Sequence, residues 1–101
     1  MVWADLGGAA GRRPVCVLTR DDAIDLLHAV TIAPITRTIR DLPTEVLVGR
    51  EHGLSDDSAI SCDNLATVRK GQLDSTRIGT VDPATRAELD LAIRYALDLR
   101  Y

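Results

Sequence analysis

The sequence contains no phenylalanine, one tryptophan (Trp3) and two tyrosines (Tyr95 and Tyr101). An aromatic core is therefore excluded, and the interior has to be built from Val, Ile, Leu and Ala. No run approaches the ~20 consecutive apolar residues of a membrane-spanning helix. The opening stretch MVWADLGGAAGRR lacks the basic start and long apolar run of a secretory signal, which points to the cytoplasm. Histidine is scarce as well. His28 closes an apolar helical pattern, where packing or capping is its ordinary role, and His52 falls in a polar turn, where it should be solvated. A histidine pair for acid–base chemistry is not supported. The two cysteines, Cys16 and Cys62, have no metal-ligand spacing and read as buried, reduced thiols. The carboxylates are scattered, so no metal and no cofactor are expected. Phosphate-loop, GxSxG, HExxH and CxxC motifs are all missing.

What is present suits one globular domain over residues 1–101, with 46% apolar and 27% charged residues. At this size a single core is modest, and dimerisation would add to it. The net charge of −3 argues at first sight against a nucleic-acid partner. The distribution softens that argument. Arg12, Arg13, Arg20, Arg37 and Arg40 fall in the first half, while Asp82, Glu88, Asp90 and Asp98 lie near the C-terminus.

VWADL (2–6) reads as a first strand, followed by the turn-rich GGAAG. PVCVLT (14–19) is a nearly continuous apolar strand, the pattern of burial on both faces. A short helix is expected over AIDLLH, capped by Asp21 or Asp22. AVTIAPIT (29–36) is a strand in which Pro34 marks an edge or a bulge. A polar loop, TRTIRDLP, leads to the strand TEVLV (44–48). SAISCDNLATV (58–68) is a strand broken around Asp63 and Asn64, and RIGTV (77–81) is a short strand. The strongest element is the C-terminal helix. Asp82 and Pro83 supply its cap and first residue, and Leu89, Ala92, Ile93, Ala96 and Leu97 form one stripe. The fold class is mostly β with α (α+β): a small barrel or twisted sheet with a helix on one side.

Chemistry has to come from arginines, hydroxyls and a carboxamide. If the strands PVCVLT and AVTIAPIT pair, Arg13 and Thr36 lie at one rim of the sheet. An arginine there can hold a phosphate bidentately, and a threonine hydroxyl can donate to the same group. The residues alone favour a plainer reading, a surface ion pair beside a threonine that merely ends a strand.

GRRPVCVLTRD, VTIAPITRTIRDLPTEV, GLSDDSAISCDNLATV and IGTV, in this order before a C-terminal helix, resemble the MazF/PemK toxins of type II toxin–antitoxin systems. The resemblance runs from WADL to the last helix. It implies a PemK/CcdB-like small β-barrel of twisted antiparallel strands with a C-terminal helix, acting as a homodimer. It also implies metal-independent cleavage of single-stranded RNA, in which the 2′-hydroxyl attacks the adjacent phosphate to leave a 2′,3′-cyclic phosphate and a 5′-hydroxyl. A cognate MazE-like antitoxin would silence that activity. The family's catalytic Arg and Thr fall on Arg13 and Thr36, and an acid used by some members falls on Asp63. Arg12, Arg37, Thr38, Arg40 and Asn64 are the implied RNA contacts, with few aromatics left for stacking bases. Two departures stand out. The first loop, GGAAGR, is short, and Ser61 stands where some members have an arginine. The resemblance leaves two rivals: a CcdB-like gyrase poison, which DLRY at the end of the chain does not favour, and a degenerate toxin that only binds RNA or antitoxin.

Overall fold

The computed structural model describes residues 1–99; Tyr101 lies outside the described residues. Seven strands are present: β1 Val2–Asp5, β2 Arg12–Val17, β3 Ala29–Thr36, β4 Glu45–Val48, β5 Ser58–Ser61, β6 Ala66–Arg69 and β7 Leu73–Arg77. Two helices, α1 Asp21–Ile24 and α2 Pro83–Ala96, complete the set, with short 3-10 turns between strands. All pairings are antiparallel, in the order β4-β5-β3-β2-β1-β7, with β6 also on β3.

β3 organises the sheet. One of its edges holds β2, through Val15↔Pro34, Cys16↔Ala33 and Val17↔Ile32. Its other edge is divided. Ala29–Ile32 pair with β6, and Ile35 and Thr36 pair with Ile60 and Ala59 of β5. Between these ladders stands Pro34, which has no N–H to offer, and there the neighbouring chain turns through the 3-10 helix Cys62–Asn64. The expected break at Asp63 and Asn64 is thus one strand leaving the ladder and rejoining it.

The apolar run of β2 and β3 is explained by two cores, one on each face. Val15, Val30, Ile32, Ala4 and Val68 form one cluster, and Cys16, Ala33, Ile35 and Ile60 join Leu89 and Ala92 of α2 in the other. Neighbouring residues on a strand point to opposite faces, so Val15 and Cys16 are both buried, in different cores. Burial pushes both thiols up, Cys62 to about 11, and both are free.

Four details differ from the sequence reading. The sheet does not close into a barrel among the described residues, since its edge strands β4 and β7 do not pair. β2 begins at Arg12, because Asp5 and Ala4 of β1 pair with Arg12 and Arg13 and carry the ladder out to the hairpin. The strand expected at 77–81 lies instead at Leu73–Arg77. α1 ends after one turn, leaving Leu26, Leu27 and His28 exposed. Arg20 gives no side-chain cap and only Ala23 is buried, too little packing to extend a helix.

α2 forms as expected. Thr85 N–H donates to the Asp82 carboxylate at 2.7 Å, and Thr85, Leu89 and Ala92 are buried at helical spacing. Leu97, expected on that stripe, is exposed just past the last turn.

Candidate active site

The β1–β2 hairpin turns through residues 6–11, closed by Leu6 N–H to Gly11 carbonyl at 2.9 Å and Gly11 N–H to Gly7 carbonyl at 3.1 Å. Gly7 and Gly11 take φ of 72° and 60°, which suits residues without a Cβ. This short turn delivers Arg12 and Arg13 to the end of β2, where a cleft of about 510 Å³ opens. Trp3, Pro14, Ile35, Leu54 and Ile78 give it apolar walls, and Arg12, Arg13 and Arg37 line it against one acid, Asp56. A protein of net charge −3 thus has a cationic cleft.

Strand alternation separates the paired arginines. Arg12 shares a face with Trp3 and Pro14, and Arg13 with Ala4 and Val15. An Arg12 Nη is ion-paired with Asp74 of β7, and its guanidinium lies 5.4 Å from the Trp3 ring centroid. Arg37 Nη1 lies 3.6 Å from Asp56 Oδ2. Arg13 differs from both. Its Nε–H donates to the Ala10 carbonyl at 3.0 Å, and among the described residues no carboxylate reaches it. The backbone bond orients the guanidinium and leaves both terminal nitrogens with protons to donate.

The β2–β3 register, continued by two residues, sets Arg13 opposite Thr36 on the same face. Thr36 Oγ1 accepts from Thr38 N–H at 3.1 Å, and its own O–H remains to donate. Thr38 and Arg40 follow on an exposed loop, where Arg40 N–H donates to Glu45 Oε1 at 2.9 Å.

Asp63 and Asn64 are not brought to this rim. They sit on the 3-10 turn beyond the far end of β5, about 10 Å along the strand from the cleft residue Ser58. Asp63 accepts from Thr44 Oγ1 at 2.6 Å, and Asn64 Nδ2 donates to Ser61 Oγ at 2.8 Å.

With this geometry in view, comparison with known proteins decides the family. A family model described as the PemK-like, MazF-like toxin of type II toxin–antitoxin systems matches residues 1–97. The chain belongs to this family. It is 42% identical over 87 residues to the endoribonuclease MazF3 of Mycobacterium tuberculosis, covering 86% of this chain and 84% of the relative. Among solved structures, Mycobacterium tuberculosis toxin MazF-mt6 superposes with a TM-score of 0.89 at 37% identity over 100% of both chains. A mycobacterial endoribonuclease in complex with its cognate antitoxin gives 0.85 at 28% identity, covering 99% of this chain and 92% of the other.

The sequence reading of this MazF-like chain missed one wall of its cleft. His52, expected in solvent, is buried. Gly49 N–H donates to its Nδ1 at 3.2 Å, so the ring proton sits on Nε2 and donates to Thr85 Oγ1 at 3.0 Å. The Thr85 hydroxyl and amide in turn hold the Asp82 carboxyl below the usual aspartate range. This relay ties the cleft segment that starts at Gly53 to the start of α2. Next to it, backbones pack so closely that a Cβ on Gly79 would meet the His52 carbonyl oxygen at 1.9 Å. The signal was the spacing of His52 ahead of Gly53, which takes φ of 92° and ends a tight turn. Asp74 and Asp56, the partners of Arg12 and Arg37, carried no local signal.

Proposed function

We propose that this chain is an endoribonuclease toxin, one domain over 1–101, that cleaves single-stranded RNA and so inhibits translation and growth. The observation that carries the reading is Arg13, the one cleft arginine that no carboxylate among the described residues neutralises, set across from Thr36 when the β2–β3 register is continued by two residues. In this reading the two Nη groups of Arg13 hold the non-bridging oxygens of the scissile phosphate, and Thr36 O–H donates to the same group. The bond from the 2′-oxygen to phosphorus forms as the bond from phosphorus to the 5′-oxygen breaks. One proton leaves the 2′-hydroxyl and another reaches the 5′-oxygen, giving a 2′,3′-cyclic phosphate and a 5′-hydroxyl. Charge building on the phosphorane meets fixed donors at the edge of an apolar cleft, where such donors act most strongly. The step therefore needs no metal ion.

Arg37 would hold the neighbouring backbone, with Thr38, Arg40 and Asn64 contacting RNA outside the cleft. Asp63 has no part in the proton transfers proposed, because its carboxylate is engaged by Thr44 away from the rim. The cognate antitoxin is a MazE-like protein, in keeping with the related endoribonuclease held by its antitoxin. Exposed apolar surface at Leu91, Tyr95 and Leu97 supports a homodimer. Among the described residues no helix is long and apolar enough to cross a membrane, and we place the protein in the cytoplasm. The test is cleavage of a long single-stranded RNA by wild type, Arg13→Ala and Thr36→Ala proteins of matched circular dichroism. Wild-type rates in both variants would remove the assignment.

A further inference from the structure

Trp3 is the sole tryptophan in a chain whose core is aliphatic, yet it stays 37% exposed on β1. Its ring borders the cleft beside Pro14, Ile35, Leu54 and Ile78. Arg12 lies over the ring, and Asp74 holds the same guanidinium from β7, so the Arg12–Trp3 pair is fixed from two sides. The β1–β2 register sets Trp3 opposite Pro14, the residue next to Arg13. Arg13 and Trp3 leave opposite faces of the hairpin, yet both line this cleft, so a nucleotide whose phosphate lies on Arg13 places its base in the cleft that this wall bounds.

We propose that Trp3, with Arg12 fixed over it, is the stacking platform for the unpaired base adjoining the scissile phosphate, and so a specificity-determining residue. The inference rests on the endoribonuclease reading of the same cleft. The occupant follows from the chemistry of the walls. A flat apolar surface suits the face of a base, and a cationic rim suits its phosphate. A duplex has no unstacked base to place there. Arg12 takes a different part from Arg13: Asp74 already neutralises its charge, and it holds the ring rather than the phosphate.

Because Trp3 is the only tryptophan, its emission reports the platform directly. The probes are 2′-O-methyl ten-mers of uridylate and adenylate, which lack the nucleophile, and an abasic ribose-phosphate ten-mer. The base-bearing ten-mers should change the emission saturably, and the abasic strand should bind without doing so. In cleavage of a long single-stranded phage RNA, Trp3→Leu should raise KM about 5- to 100-fold, more than it lowers kcat. Trp3→Tyr should recover most of the loss. Unchanged emission while a labelled ten-mer binds, or a wild-type KM in Trp3→Leu, overturns the platform and leaves the endoribonuclease reading to its own Arg13→Ala test. A saturable emission change in a wild-type protein that cleaves no RNA keeps the platform and removes the enzyme. A protein that binds no ten-mer and cleaves no RNA removes both.

Discussion

Three arginines reach the cleft, and their partners make them unequal. Arg12 is neutralised by Asp74 and Arg37 faces Asp56, whereas Arg13 is oriented by a backbone carbonyl and keeps its charge for a ligand. Arg13→Ala should lower kcat by about 10²- to 10³-fold, the usual loss when a donor to developing negative charge is removed. Arg13→Lys should recover little of it, because a lysine lacks the two-pronged fork. Thr36→Ala should cost about 10- to 100-fold, as for one hydrogen bond to a charged group. Single-turnover cleavage measures all three, and an Arg12→Ala protein slowed as much as Arg13→Ala would contradict the ranking. The pairing of the strands that end near Arg13 and Thr36 could be read from the sequence, since both are apolar runs long enough to pair. The ranking of the arginines could not, because the partners that decide it arrive from β7 and from the loop before β5. His52 was misread for the same reason: a polar sequence context hid a ring enclosed by α2 and its own turn.

Helix α2 was legible because its signals are local, the Asp82–Pro83 start and an apolar stripe at helical period. It anchors the larger core through Leu89, and Leu89→Ala should cost about 2–5 kcal/mol in chemical denaturation. Its cap carries a pH signature. The folded pKa of Asp82 lies below the ordinary 3.8, so its contribution is complete above that value and is lost as pH falls through the lower folded one. The stability difference between wild type and Asp82→Asn should therefore shrink as pH is lowered below 3.8, and a difference that grows there would contradict the cap. Removing the relay at His52→Ala should cost about 1–3 kcal/mol through the polar groups left without partners. The elements misread lacked such signals. β7 holds one half-buried apolar residue, Leu73, and is held by its pairing with β1. The α1 segment has helical spacing but little to pack against.

At the scale of the molecule, an acidic chain carries a cleft that gathers three arginines from β2 and the end of β3. Its overall charge gives RNA no general attraction, so binding depends on that rim. With about two phosphate contacts, from Arg13 and Arg37, affinity for single-stranded RNA should fall roughly 7-fold between about 50 and 200 mM salt. A flat salt response would argue against phosphate contacts. The open sheet, whose β3 edge Pro34 divides between β6 and β5, is what sets the arginines beside an apolar wall. The sequence pattern marked that proline but could not say whether the strands closed into a barrel, because closure depends on edges far apart in the chain. The most direct measurement of the central claim is to incubate the protein with a long single-stranded RNA in excess chelator and map the new ends. The account predicts cleavage with 5′-hydroxyl and 2′,3′-cyclic phosphate ends, lost in Arg13→Ala. Intact RNA, or 5′-phosphate ends that form only with added metal, would contradict it.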